Sequence, residues 1–101
     1  MIFVTGSVQM NADTRDEAIA IGCAHSQRSR QEPGCIAHHC MIDAEDPNRL
    51  VFHEEWADLA ALQTHFAVPE SGAFVRQISA LASSPPEMRI FTVEETRQLP
   101  I

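Results

Sequence analysis

Apolar and polar residues alternate from the first positions of the chain. Ile2, Val4 and Val8 fall on one parity, so residues 2–10 read as a first strand. Asn11 to Asp13 reads as a turn. Thr14-x-x-Glu17 has the form of a capping box, in which the hydroxyl accepts from an unpaired N–H and the carboxylate reaches back. Asp16 and Glu17 suit the positive end of a helix, and the pattern carries that helix to about Arg30, with Arg28 and Arg30 near its negative end. Ala18, Ile21, Gly22 and His25 share a stripe on it, which turns His25 toward a sheet. Pro33-Gly34 ends the helix and turns the chain.

Cys35 to Ile42 reads as a second strand and Leu50 to Trp56 as a third, with a loop over Asp43 to Asn48 that contains Asp46-Pro47. The two strands are expected to form a hairpin. Leu59, Leu62 and Phe66 recur at three- and four-residue spacing, so Asp58 to about Ala67 is helical. Pro69 breaks or kinks it, and a further helical piece carries Phe74, Ile78 and Leu81 on one stripe. After a breaker at Ser83 to Pro86, Met88 to Val93 reads as a fourth strand, followed by a tail. The order β-α-β-β-α-β predicts an α+β, ferredoxin-like fold: one antiparallel sheet with helices on one face. Residues 1–101 then form a single domain. The uncovered face of the sheet is best covered by a second copy of the chain, which predicts a two-fold homodimer.

Length changes this picture little: 101 residues with 45% hydrophobic content suit one core. Charge excludes more. A formal net charge of −7 argues against nucleic acid and against an anionic membrane surface. No apolar run approaches the roughly 18–20 residues that span a bilayer. Met1-Ile2-Phe3-Val4 lacks the basic flank of a signal peptide. Three cysteines without a Cys-x-x-Cys make no disulfide framework, so they read as small buried thiols, reduced in a cytoplasm. Neither Gly-x-Gly-x-x-Gly nor a phosphate loop occurs, and no cofactor is expected.

Candidate chemistry gathers where the third strand meets the next helix. His53 and His65 offer imidazoles that titrate near neutrality, as a general base must. Trp56, Phe66 and Phe74 offer flat apolar walls for a small apolar or aromatic ligand, and His25 is a further lining group. Each has a plainer role beside this one. His65 lies three after Leu62 and suits a core edge, and His53 can pair with Glu55. Trp56 suits an anchor between sheet and helix, while Phe66 and Phe74 suit the core. Glu54 and Glu55 point to opposite faces, and whichever is inward needs a partner such as His53 or an arginine. Cys35, His38, His39 and Cys40 suggest a metal, but alternation gives each strand face two of them. A closed zinc site takes four ligands, so no metal is expected.

Four segments carry a family resemblance: Ser29-Arg30-Gln31-Glu32-Pro33-Gly34-Cys35, Asp46-Pro47-Asn48-Arg49, Val51-Phe52-His53-Glu54-Glu55-Trp56 and Ala60-Ala61-Leu62-Gln63-Thr64-His65-Phe66. In these the chain resembles the antibiotic biosynthesis monooxygenase domain family, part of the dimeric α+β barrel group. The resemblance implies the fold and the dimer. It also implies a range of activities, from cofactor-free quinol and anthrone oxygenases to haem-degrading enzymes. Haem-degrading members use an Asn in the first strand and an axial His near the region of Phe74. Here Gly6-Ser7 and Phe74-Val75-Arg76 stand in those places, so no haem site is implied.

Three functions suit these residues. The first is a cofactor-independent monooxygenase acting on a quinol-like or polycyclic phenolic molecule, with His65 or His53 as base. The second is a dimeric small-molecule-binding module without turnover. The third is a cofactor-free isomerase or other proton-transfer enzyme on the same scaffold.

Overall fold

The computed structural model describes residues 1–100. It contains β1 (Ile2–Gln9), α1 (Arg15–Ser29), β2 (Cys35–Asp43), β3 (Asp46–Trp56), α2 (Leu59–Ala67), α3 (Pro69–Leu81) and β4 (Glu87–Thr92). The strands form one antiparallel sheet in the order β2-β3-β1-β4, the ferredoxin-like arrangement read from the sequence. Alternation sorts the two faces. Ile2, Val4 and Val8 of β1 and Leu50, Phe52, Glu54 and Trp56 of β3 are buried on the helix-covered face. Among the described residues, no helix is long and apolar enough to cross a membrane.

Local chemistry accounts for most boundaries. Asp58 accepts the Ala61 N–H at 2.8 Å and starts α2. Pro69 opens α3 at a position where a missing N–H costs nothing, so Val68 separates two helices rather than kinking one. Thr14, however, forms no capping box. Its hydroxyl donates to the Leu81 carbonyl at 2.9 Å, tying the start of α1 to the end of α3. The loop expected over Asp43–Asn48 shrinks to Ala44-Glu45, because Asp46 already pairs with Asp43 across the hairpin. Asp43 and Asp46 accept from the Glu45 and Asn48 N–H groups and close this tight turn.

A bulge between Cys35 and Ala37 corrects the parity expected for β2. Cys35 stands opposite Trp56 and packs with Ile2, Val4, Trp56 and Leu62, on the same face as His38. The three thiols are unbridged, and burial, then Cys23, pushes the Cys40 thiol up to about 12.

Two apolar clusters make the core. One holds Val8, Met10, Ala18, Leu50, Phe52 and Ile78; the other holds Ile2, Val4, Trp56 and Leu62. Polar side chains sit between them. The buried stripe of α1 is Ala18, Gly22, His25, Ser26 and Ser29, so its inner half is polar. His38 is fully buried with its ring 6.4 Å from Phe52 and 6.3 Å from Trp56.

Gly34 is the residue on which the α1–β2 connection turns. Its φ of 81° lies in the left-handed region, and an added Cβ would meet the Ala61 Cβ at 2.6 Å. Gly34→Ala is expected to lower stability by about 1–2 kcal/mol, seen as a lower urea midpoint. An unchanged midpoint would contradict this account of the turn.

Burying imidazoles makes stability depend on pH. Desolvation, then the neighbouring His65 and Arg28, lowers His25 to about 3; desolvation, then His25, His65, Arg30 and His39, lowers His38 to about 3. In the unfolded chain both rings take up a proton near pH 6.5. Their stabilising effect is therefore whole above pH 6.5. It is lost as pH falls from 6.5 toward 3, by up to about 1.4 kcal/mol per pH unit for each ring. Burial raises Glu54, which acts in the opposite sense above pH 4.5, but two rings exceed one carboxyl. A lower urea midpoint at pH 5 than at pH 7 is expected, and equal midpoints would contradict it.

Candidate functional site

A cavity of about 260 Å³ lies between the sheet and the helices. Gly6 and Val8 of β1 and Phe52 and Glu54 of β3 form its floor, and Phe74 and Ile78 of α3 form a wall. Met88, at the start of β4, borders its edge. His25 enters from α1, and His65 and Phe66 from α2. The lining is mostly apolar with a few polar groups, the usual make-up of a small-molecule site.

His65 is the best-positioned of the polar groups. It is buried, on the inner stripe of α2 one turn after Leu62. Its Nδ1 lies 3.0 Å from Oε1 of Glu32. The other oxygen of Glu32 accepts from Arg28 Nη1 at 2.9 Å. A carboxylate held this way is acceptor-only, so His65 donates its Nδ1–H to it. The lone pair of His65 then resides on Nε2. Trp56 backs the ring, with centroids 4.6 Å apart and planes inclined by 34°.

His25 has the opposite tautomer. Arg28 Nη2 lies 2.9 Å from His25 Nδ1, and a guanidinium only donates, so Nδ1 carries the lone pair and Nε2 the proton. The His25 ring stacks on Phe74 at 3.9 Å with an interplanar angle of 1°. Together the two rings make a flat wall.

Glu54 is the inward member of the glutamate pair. Its Oε1 accepts from Trp56 Nε1–H at 3.0 Å and lies 3.4 Å from His38 Nε2. Desolvation raises its pKa, with the Trp56 hydrogen bond opposing. Its hydrogen-bond partner is therefore Trp56, with the His38 ring close by but not hydrogen-bonded to it, rather than His53 or an arginine.

The six residues singled out from the sequence divide four to two. His25, His65, Phe66 and Phe74 border the cavity. His53 does not: alternation along β3 sends it to the uncovered sheet face, where it contacts Glu55 at 3.2 Å and meets Phe3 edge-on. Trp56 does not touch the cavity either. It is fully buried behind His65, in the anchoring position, with its N–H spent on Glu54. Sequence reasoning missed Glu32 and His38 as parts of the site. Glu32 meets His65 across 33 positions. The signal for His38 was its inward parity, since a buried imidazole needs partners.

Comparison with known proteins agrees with this fold. The family model described as "Antibiotic biosynthesis monooxygenase" matches residues 1–77. A Synechocystis protein described as uncharacterized is 35% identical over 98 residues, covering 97% of this chain and 67% of that protein. A Deinococcus radiodurans crystal structure superposes with a TM-score of 0.94 at 21% identity, covering 99% of both chains. A second crystal structure, described as an antibiotic biosynthesis monooxygenase, superposes with a TM-score of 0.86 at 27% identity, over 94% of this chain and 100% of that one. With the matched segment spanning the first three strands, the cavity histidines and most of α3, the chain belongs to the antibiotic biosynthesis monooxygenase family.

Proposed function

We propose that this chain is a cofactor-independent monooxygenase that oxidises a quinol. The observation that carries the reading is the Glu32–His65 pair at the rim of an apolar cavity. A volume of about 260 Å³ is small for a ligand site, which favours a substrate of one or two fused rings over a larger polycyclic phenol.

The chemistry needs a base before it needs anything else, because a quinol anion gives up an electron to oxygen far more readily than the neutral quinol. His65 Nε2 takes the hydroxyl proton, and Glu32 stabilises the imidazolium that forms. One electron passes from the quinol anion to O2, and the two radicals combine at the neighbouring ring carbon, making a C–O bond. The proton on His65 passes to the resulting peroxide. Loss of the ring hydrogen as a proton then breaks the O–O bond. One oxygen stays on the ring as a carbonyl, and the other leaves as water. The sum is quinol plus O2 giving hydroxyquinone plus water, and the substrate supplies all four electrons. Phe74 and His25 form the flat wall that holds the ring, and the apolar lining keeps bulk water from the radical pair.

A homodimer accompanies this reading. Phe91, next to Phe3, and Met41 are exposed to 42% and 44% on a sheet face that no helix covers. A second copy laid on that face covers it and leaves each cavity beneath its own helices.

Glu54 favours a second reading. A buried carboxyl whose pKa is raised, on the same cavity as a base, is also the acid–base pair of a proton-transfer isomerase. Oxygen uptake separates the two, and quinol binding without uptake would favour a module that only binds.

With a panel of one- and two-ring hydroquinones and a chelator present, oxygen uptake above the buffer rate is expected. His65→Gln is expected to lower kcat by about 10²- to 10⁴-fold with the fold retained by circular dichroism. An unchanged rate in His65→Gln would remove His65 as the base. Uptake at the buffer rate with every quinol would remove the oxygenase reading.

A further inference from the structure

Behind the cavity wall lies a group that the oxygenase chemistry does not use. His38, from β2, is fully buried, and its Nε2 is the one buried side-chain nitrogen or oxygen among the described residues without a hydrogen-bond partner. An unpartnered buried nitrogen costs about 1–3 kcal/mol, and something must offset that. Next to it stand His25 and His65. One ring nitrogen from each of these three histidines lies within 4.8 Å of the others.

We propose that His25, His38 and His65 are a binding site for a divalent transition cation such as Zn2+ or Co2+. The donor set suits such an ion. Imidazole is a borderline-soft ligand, and three protein ligands with a position left open is the usual form of a reactive zinc site. The rings come from three different elements, α1, β2 and α2, so the fold rather than the local sequence brings them together.

Each ring is also held from behind, as ligand histidines generally are. Glu32 holds Nδ1 of His65 at 3.0 Å, and Ser26 holds Nδ1 of His38 at 2.8 Å. These two contacts leave Nε2 of each ring as the ligating atom. The separation of His38 Nε2 from Glu54 Oε1 is 3.4 Å. That is also the edge of a tetrahedron around an ion with bonds of about 2.1 Å. Glu54 therefore stands where a fourth ligand or a counter-charge belongs, and Glu32 supplies a second negative charge through His65. His25, His65 and Glu54 all border the cavity, so an open coordination position faces the space a small molecule would enter.

One contact must change. In the arrangement described, Arg28 donates to His25 Nδ1, which keeps the His25 proton on Nε2. For Nε2 to ligate, that proton must move to Nδ1 and Arg28 must turn away. Arg28 keeps its Nη1 bond to Glu32 at 2.9 Å, while Nη2, which also makes the 3.3 Å contact to Ser71, swings off His25. His38 and His65 are thus the anchoring pair, and His25 completes the set at the expense of the two contacts of Arg28 Nη2.

This site goes beyond the oxygenase reading and does not rest on it; it takes the same Nε2 of His65, so a bound ion would displace His65 as base, and the quinol assay is run with a chelator for that reason. The test is a titration of the intact chain with Co2+ in the absence of any quinol, read by visible absorption. One equivalent per chain is expected, with the strong bands of a four- or five-coordinate ion, and Zn2+ is expected to displace it. His25→Gln and His38→Gln are each expected to weaken binding by about 10- to 100-fold. His39→Gln is the control: that ring lies with His53 on the far face of the sheet, and binding is expected to be unchanged. Should His38→Gln fail to fold, His25→Gln decides. Absent bands, full affinity in folded His25→Gln, or loss of binding in His39→Gln would each overturn the proposal. A negative titration leaves the oxygenase reading standing, and absent oxygen uptake leaves this site standing.

Discussion

The carboxylate of Glu32 joins the parts of this molecule that matter for chemistry. It sits in the turn after α1 and receives Arg28 on one oxygen and His65 of α2 on the other. The turn itself is tight, with Glu32 N–H donating to Ser29 and Cys35 N–H donating back to the Glu32 carbonyl. Gly34 supplies the left-handed residue that lets the chain double back without pushing Ala61 away. Helix α2 can therefore lie close to the end of α1, and the proton of His65 is fixed on the nitrogen away from the cavity. The same arginine fixes His25 in the other tautomer. One ion pair thus sets the proton positions of two rings.

Low polarity around these groups explains their charge state. Three imidazoles this close cannot all be cationic in a buried space, and burial holds His25 and His38 neutral. Glu54 is pushed the same way, toward its uncharged form. The cavity is then lined by polar groups that carry little net charge. A proton moved from a phenol to His65 would create an ion pair inside it, where attraction between the charges is stronger than in water. Apolar surroundings alone would oppose that pair, so it is the Glu32 carboxylate on His65 that would offset the cost of forming a phenolate there.

Much of this was legible in the chain, and the limits have physical causes. The alternation of β1 and β3, Asp58 ahead of α2 and Pro69 between two helices each encode local geometry, and the element order follows from them. Thr14 misled because its hydroxyl found Leu81, 67 positions away, instead of its own helix. Cys35 misled because a bulge shifts parity without any mark in composition. Glu54 and Glu55 were neighbours with equal claims, and only the register of β3 against the helices decides that Glu54 is inward. The inner stripe of α1 carries His25, Ser26 and Ser29, which hides a buried face among polar residues. The meeting of His25, His38 and His65 depends on three elements packing together, and no spacing along the chain encodes it.

Nitrogen-15 NMR of the imidazole side chains at neutral pH tests most directly whether Glu32 and Arg28 set the protons of the site. The predicted result is a neutral His25 ring with its proton on Nε2 and a His65 ring that carries a proton on Nδ1. His65 protonated on Nε2 alone, or both rings in the same tautomer, would contradict it.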